Sequence, residues 1–311
     1  MSQLVITGAS GLLGANLVLE TERRFDVTAV VHKHPLKFAT ARVIQTDLGE
    51  ASTVRKLFGE IRPDWIIHCA AATAIDALED DPGRAYRLNV QMSHDVAKIA
   101  ASINARLLYV STDSVFDGRN GPYQESDEPL PVNVYARSKL EGEHAVAEEN
   151  PGALIVRTNL FGWSPIQRTS LAEWFYTNLS AGQPCSGFSD MFFSPVYAPD
   201  LAGIFIQMLD NRLEGLYHVP GDECLSKYEF GCRLAAAFGF NPALVGDTIS
   251  DQLQSKAKRP TRTCLDGSKI VQDLGQKLPS LEEGFAHLRE SHENGLFEGV
   301  LINSKLEGLD A

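Results

Sequence analysis

The 311-residue sequence has few cysteines, no long apolar run and a deficit of positive charge. Its five cysteines form no C-x-x-C pair, and their odd number argues against a disulfide framework and fits a reducing compartment. No apolar run approaches the length of a membrane span, and the first three residues lead directly into a strand pattern instead of a signal peptide. We therefore expect a cytoplasmic protein that has no membrane partner.

Positive charge is scarce, because 28 lysines and arginines face 40 acidic residues and leave a net charge of −12. Such a field repels nucleic acid, and no basic stripe with interleaved aromatics interrupts it, so we expect no nucleic-acid partner. An anionic nucleotide would need local positive charge. Two groups of residues offer it: His32, Lys33 and His34, and then Lys256, Lys258, Arg259 and Arg262.

The first half of the chain alternates strand and helix patterns at short spacing. Strands are predicted at residues 3–7, 27–31, 42–45, 65–69, 106–111 and 153–157. Amphipathic helix patterns lie between them at residues 12–23, 53–61, 85–103 and 134–149. This alternation predicts an α/β fold, a doubly wound parallel sheet of the Rossmann type.

The second half begins with loops rich in proline and glycine. Helix patterns return at residues 200–209, 227–238 and 280–293, with a short strand at residues 215–219. We predict a dinucleotide-binding Rossmann domain over residues 1–162 and a smaller substrate-binding lobe over residues 163–311. Within that lobe, residues 195–219 are expected to return to the Rossmann sheet.

A glycine-rich turn, TGASGLLG at residues 7–14, directly follows an apolar strand pattern. A turn with few bulky side chains lets backbone amides approach a pyrophosphate at a helix N-terminus, where the helix dipole favours negative charge. The turn alone is a weak signal, and its place between a strand and a helix strengthens it. The predicted cofactor contacts here are Gly8, Ser10, Gly11, Leu12, Leu13 and Gly14.

Tyr135 and Lys139 stand four residues apart on one face of a predicted helix. A carbonyl that accepts hydride develops oxyanion character and needs a proton donor within hydrogen-bond reach. Tyr135 would be that donor, and the cation of Lys139 would lower the pKa of its phenol from the usual value of roughly 10. Such pairs also occur by chance on structural helices, so the functional interpretation of this pair depends on the glycine turn upstream.

The motifs together resemble a known family. The G-x-x-G-x-x-G spacing of the turn is similar to that of the short-chain and extended dehydrogenase/reductases. Residues 110–118, VSTDSVFDG, resemble the S-T-D-x-V-F-D-G segment of dTDP-4-dehydrorhamnose reductases, and the match continues through Tyr135 and Lys139 to Arg157. The resemblance covers nearly the whole chain.

This resemblance implies an NAD(P)H-dependent oxidoreductase that reduces the C4 ketone of a nucleotide-activated 4-keto-6-deoxy sugar. It makes Tyr135 the proton donor, Thr112 a hydrogen-bond donor to the substrate oxygen and Lys139 a ligand of the nicotinamide ribose. It also implies cofactor-site roles for a further set of residues: Asp47, Leu48, Ala70, Ala71, Ala72 and Asn89, the last of which supports the active-site helix.

The end of the second strand bears on the choice of cofactor. An acidic residue there pairs with a ribose 2′-hydroxyl, whereas a basic one accepts a 2′-phosphate. His32 and Lys33 occupy this place without a carboxylate, so we expect NADPH, with NADH as the alternative because related reductases use both. We expect no metal, since His68 and His218 stand at strand positions typical of buried structural histidines.

Trp163 and Arg259 are the predicted substrate ligands, and each has a structural alternative. Trp163 either stacks on a sugar or fills the interface with the lobe. Arg259 either clasps a diphosphate with its guanidinium or belongs to a solvated loop.

Other functions remain open. Ser114 replaces the glutamate of sugar-nucleotide dehydratases, which disfavours dehydration, and it also departs from the tyrosine common in rhamnose-type reductases. An epimerase would use the same Thr, Tyr and Lys set. The C-terminal half also resembles the regulatory β subunit of methionine adenosyltransferase, so an NADP-binding regulatory subunit is the second hypothesis. A homodimer is left open.

Overall fold

A computed structural model describes residues 1–166, 170–252, 255–297 and 300–302. Its strands are β1 Gln3–Thr7, β2 Asp26–Val31, β3 Leu36–Lys37, β4 Arg42–Gln45, β5 Trp65–His68, β6 Arg106–Thr112, β7 Leu154–Thr158, β8 Leu160–Phe161, β9 Cys185–Phe188, β10 Phe192–Phe193, β11 Val196–Tyr197, β12 Gly215–His218, β13 Leu225–Ser226, β14 Val245–Thr248 and β15 Leu301–Ile302. Its α-helices are α1 Leu12–Thr21, α2 Ala51–Ile61, α3 Ile75–Asp80, α4 Pro82–Ala85, α5 Met92–Ser102, α6 Val134–Glu149, α7 Leu171–Ser180, α8 Ala198–Asp210, α9 Lys227–Ala237, α10 Ser268–Leu274 and α11 Leu281–Glu293.

A parallel sheet of seven strands, in the order β12-β7-β6-β5-β1-β2-β4, forms the centre of the fold. The strand order reverses between β1 and β5, which is the doubly wound Rossmann arrangement that the sequence predicts. Strand β1 lies at this reversal, and its residues Leu4 to Thr7 are buried because helices cover both faces of a parallel sheet. The ligand crevice of such sheets opens at the carboxyl ends of these strands.

The two faces of the sheet bury separate apolar clusters. Helix α1 packs against α8 on one face, while α2, α5 and α6 pack together on the other. Strand β12 adds to the outer edge of β7 in parallel, pairing Leu216 with Ile155 and Tyr217 with Val156. A segment from the second half of the chain thus completes the sheet.

A third cluster, rich in phenylalanine, lies between α7, α9 and α11. Its fully buried members include Phe161, Phe175, Phe230 and Phe285. The ring centroids of Phe161 lie 5.3 Å from those of both Phe230 and Phe285. This cluster gives residues beyond the sheet a core of their own.

Several local features differ from the sequence-based expectations. The helix predicted over residues 85–103 contains a π-helical segment, Tyr86–Gln91, before α5 begins. Helix α7 lies in the region that was predicted to be loops. Cys224 and Cys264 form a disulfide, which the cysteine spacing argued against, because folding joins residues 40 positions apart that carry no local motif. Within the described ranges, no helix has the length and apolar character needed to cross a bilayer.

Candidate active site

The glycine-rich turn is held tightly against the end of β5. Gly8 has a φ of +66°, and a Cβ placed on it would lie 2.8 Å from the backbone nitrogen of Ala70. A Cβ on Gly14 would lie 2.3 Å from the carbonyl oxygen of Gly8. Glycine is therefore required at both positions, and the turn can approach both the sheet and a ligand without side-chain obstruction.

Helix α1 begins at Leu12 directly behind this turn, and its N-cap residue Gly11 supplies no side-chain cap. The first-turn amides of an α-helix have no intrahelical partner, and here they include those of Leu12 and Leu13. These donors and the dipole of the helix suit a pyrophosphate. The predicted contacts Gly8, Ser10, Gly11, Leu12, Leu13 and Gly14 thus lie together in a turn that fits a dinucleotide.

Asn89 joins the cofactor side of the sheet to the predicted active-site helix. Its amide exchanges hydrogen bonds with both backbone groups of Ala72, at 2.8 and 3.0 Å, and donates to Ser138 Oγ in α6 at 2.9 Å. Because these contacts engage both ends of its amide, Asn89 fixes the position of the segment 70–72, which follows β5 beside the turn.

The end of β2 carries an exposed basic group, but a carboxylate also lies close to it. The Nε2 atom of His32 is 3.7 Å from Oδ2 of Asp47, which follows β4. Leu48, next to it, is buried. Asp47 therefore adds a negative charge where the sequence of β2 alone shows only His32 and Lys33, and pairing between neighbouring parallel strands brings the two loops together.

Thr112 and Tyr135 meet where β6 ends and α6 begins. Asn133 caps α6 by accepting a hydrogen bond from the backbone of Ala136 at 2.8 Å, which fixes the first turn that carries Tyr135. Burial raises the pKa of Tyr135 to about 12, and the neighbouring hydroxyl of Thr112 partly opposes that rise. The two predicted proton-handling groups are thus neighbours, although 23 residues separate them in the sequence.

The side chain of Lys139 reaches from α6 to strand β6. Its ammonium is buried and donates to the hydroxyl of Tyr109 at 2.7 Å and to the carbonyl of Val110 at 2.8 Å. Burial lowers the pKa of Lys139 to about 7, with Glu143 opposing the shift. The prediction that Lys139 depresses the pKa of Tyr135 stays a prediction, and the contacts of the ammonium in the structure are with β6.

Asp113 is a buried carboxyl group beside Thr112. It accepts hydrogen bonds from Thr263 Oγ1 at 2.5 Å, Asn159 Nδ2 at 2.9 Å and Thr112 Oγ1 at 3.1 Å. Burial raises its pKa in spite of these bonds. Asp113 thus links β6 to the loop that contains Thr263, and this loop also carries Arg259.

The basic group around Arg259 is paired with carboxylates of α3. Arg259 Nη2 lies 3.1 Å from Asp76, and Lys256 Nζ lies 2.7 Å from Asp80. Arg259 Nη1, in contrast, is buried and has no hydrogen-bond partner among the described residues. The sequence could not indicate this pairing, since about 180 residues separate the partners.

Trp163 lies in the aromatic packing beside α7 and α11. Its Nε1 donates to the carbonyl of Leu288 at 2.8 Å, and its ring centroid lies 5.0 Å from Tyr176 and 5.1 Å from His292. These contacts occupy its ring and its only polar atom. They support the packing alternative, and substrate binding by Trp163 stays a prediction.

The fold and the site define a Rossmann-type dinucleotide-binding protein. The chain belongs to the RmlD substrate binding domain family, whose model matches residues 1–293. A structure of dTDP-4-dehydrorhamnose reductase from Bacillus anthracis in complex with NADP superposes with a TM-score of 0.80 at 28% identity, covering 93% of this chain and 99% of that chain.

Two curated relatives carry different names. The probable low-salt glycan biosynthesis reductase Agl14 of Haloferax volcanii is 33% identical over 288 residues, covering 91% of this chain and 96% of that protein. Methionine adenosyltransferase 2 subunit beta of Rattus norvegicus is 35% identical over 291 residues, covering 89% and 84%. The family and its reductase members indicate an NAD(P)-dependent oxidoreductase.

Proposed function

We propose that the protein uses NADPH to reduce the C4 ketone of a nucleotide-activated 4-keto-6-deoxy sugar, as in the dTDP-4-dehydrorhamnose reductases. The observation that carries the proposal is the position of Tyr135, at the start of α6, beside Thr112, at the end of β6, on the sheet edge that also bears the glycine turn. A proton donor and a dinucleotide cradle then face one crevice. We also propose that residues 1–162 bind the cofactor and that residues 163–311 bind the sugar nucleotide.

Tyr135 acts as the proton donor in this proposal. A reduced nicotinamide, when bound, supplies hydride to the ketone carbon. The ketone oxygen becomes an alkoxide, which is basic enough to take the proton of a phenol whose pKa is about 12. The hydroxyl of Thr112 rotates to donate a second hydrogen bond to that oxygen.

Gly8, Ser10, Gly11, Leu12, Leu13 and Gly14 would hold the cofactor diphosphate, and Lys33 with His32 would bind the 2′-phosphate of NADPH. Asp47 favours NADH, because a carboxylate pairs with a 2′-hydroxyl and repels a phosphate. We expect the two basic side chains to prevail, which gives a higher kcat/KM with NADPH than with NADH. The variant Asp47→Asn should strengthen that preference, and a wild-type preference for NADH would reject the NADPH assignment.

Arg259 is proposed to bind the diphosphate of the sugar nucleotide through its unpartnered Nη1. The variant Arg259→Ala should raise the KM of the keto sugar about tenfold or more and leave the Kd of NADPH unchanged, since a charged hydrogen bond contributes about 1.5–3 kcal/mol. The control Lys256→Ala removes an exposed pair with Asp80 and should change neither constant. An unchanged KM in Arg259→Ala would reject the role of Arg259.

The function itself is tested by following NADPH absorbance with a small panel of nucleotide-activated keto sugars. We expect oxidation of NADPH in stoichiometric amounts with a dTDP-4-keto-6-deoxy sugar. Isomerised sugar without net consumption of NADPH would indicate an epimerase. The absence of both reactions over the whole panel would reject the proposed activity.

A regulatory subunit is the second candidate, because the similarity to methionine adenosyltransferase 2 subunit beta extends over 89% of the chain. Under this alternative, the chain binds a methionine adenosyltransferase and reduces no ketone. Size-exclusion chromatography of the mixture distinguishes the two, since a stable complex together with inactivity on the sugar panel supports regulation. The same column run with the chain alone tests for a homodimer.

A further inference from the structure

The buried ammonium of Lys139 is held by strand β6. It donates to the hydroxyl of Tyr109 at 2.7 Å and to the carbonyl of Val110 at 2.8 Å. A lysine ammonium has three N–H donors, so these two acceptors leave one donor. Within the described part of the chain, no further hydrogen-bond acceptor reaches that nitrogen. The remaining N–H is therefore available to a ligand.

The hydroxyl of Tyr109 packs against helix α6 at Gly142, where no side chain stands in its way. A Cβ on Gly142, three residues after Lys139, would lie 2.5 Å from the oxygen of Tyr109. Any larger residue at position 142 would collide with that hydroxyl. The ring of Tyr109 is fully buried and stacks on His68, with centroids 5.9 Å apart. The hydroxyl is thus fixed from the strand side and from the helix side.

We propose that Tyr109 is a positioning residue, whose hydroxyl holds the Lys139 ammonium against β6 so that its third N–H is presented to the nicotinamide ribose. The proposal rests on the proposed function for the identity of that ligand. Tyr109 does not touch the reacting atoms, and it acts through Lys139 alone. Removal of the hydroxyl would leave a buried ammonium with one acceptor fewer, and the charged form would become harder to maintain.

The surroundings of Lys139 make its charge sensitive to this loss. Burial lowers the pKa of Lys139 to about 7, while Glu143 on α6 and Cys69 after β5 oppose the shift. Burial and the same ammonium lower the pKa of His68 to about 3, so that histidine stays neutral near pH 7. The groups that face the Tyr109 hydroxyl are Ser93, Glu143 and Tyr135. Asp113 lies beside Tyr135, and Arg157 is paired with Glu143.

NADPH binding measured from pH 5 to 9 by fluorescence tests the proposal without any turnover. In the wild type we expect the affinity to fall as the pH rises and Lys139 loses its proton. In Tyr109→Phe the midpoint of that fall should lie roughly one pH unit lower. The control Tyr197→Phe removes another buried hydroxyl, which bonds to Ser291 at 2.9 Å in the lobe, and should retain the wild-type midpoint. A midpoint that does not move in Tyr109→Phe overturns the proposal.

A second comparison covers the case in which Tyr109→Phe fails to fold. The variant Lys139→Met has no buried charge, so adding Tyr109→Phe to it leaves no ammonium unpaired. We expect the double variant to bind NADPH within twofold of Lys139→Met, and a further loss would mean that Tyr109 acts by another route. If the wild type reduces no sugar, the proposed function fails, whereas these binding measurements still decide the role of Tyr109.

Discussion

The buried ion pair between Glu143 and Arg157 gives a stability prediction whose size follows from the structure. Glu143 and Arg157 are both nearly inaccessible, with side-chain exposures of 5% and 3%. The guanidinium donates to the carboxylate at 2.7, 2.9 and 3.1 Å, and Ser111 donates a further bond. The variant Glu143→Gln keeps the shape and removes the charge, and its new NH₂ group faces the guanidinium donors.

Removing one partner of a buried pair destabilises a protein by about 3–5 kcal/mol, because the other charge stays buried without compensation. We expect Glu143→Gln to lie at the lower end, at about 3 kcal/mol, since one amide oxygen can still accept from Arg157. Equilibrium unfolding in urea measures the loss. The control Glu141→Gln changes an exposed residue of the same helix and should shift the free energy of unfolding by less than about 0.5 kcal/mol. A loss below about 1 kcal/mol in Glu143→Gln would refute the reasoning.

Two further predictions concern stability. Removing the disulfide by Cys224→Ser opens a closed loop of 40 residues, which in the chain-entropy account lowers the free energy of unfolding by up to about 4 kcal/mol. An unfolding midpoint that is unchanged, or equally lowered by dithiothreitol in wild type and variant, would contradict this. The second concerns His68 and His218, whose pKa values burial lowers to about 3. The unfolded chain binds more protons between pH 3 and 6.5, so stability should fall as the pH drops through this window, by at most about 1.4 kcal/mol per pH unit for each histidine. Unfolding measured at pH 6.5 and 5 should show a smaller loss in His218→Gln, and an equal loss would exclude the histidines as the cause.

The sequence predicts the sheet well because each of its strands carries its own local signal. The bounds of β1, β4 and α6 agree with the predicted residues 3–7, 42–45 and 134–149. The sequence also carries a signal for the start of α7, since Ser170 and Glu173 form a capping box that stands as S-x-x-E in the sequence. The proline-rich surroundings drew the prediction towards loops.

The contacts that determine the pairing and protonation of the site residues join distant parts of the chain, and no local pattern encodes them. Asp76 reaches Arg259 across 183 residues, and Tyr109 reaches Lys139 across 30. Strand alternation marks Tyr109 only as a buried position, and it does not reveal which atom the hydroxyl contacts. Motifs therefore predicted which residues belong to the site, whereas their protonation and pairing required the folded chain.

The most direct measurement of the central claim compares Tyr135→Phe with wild type in single turnover, with NADPH and the preferred keto sugar nucleotide. The account predicts that the rate of NADPH oxidation falls at least about 1,000-fold, within the range that a positioned proton donor contributes, while the Kd of NADPH changes by less than threefold. The control Tyr123→Phe removes a hydroxyl that donates to Asp117, and it should react at the wild-type rate. A Tyr135→Phe rate within tenfold of wild type would contradict the account.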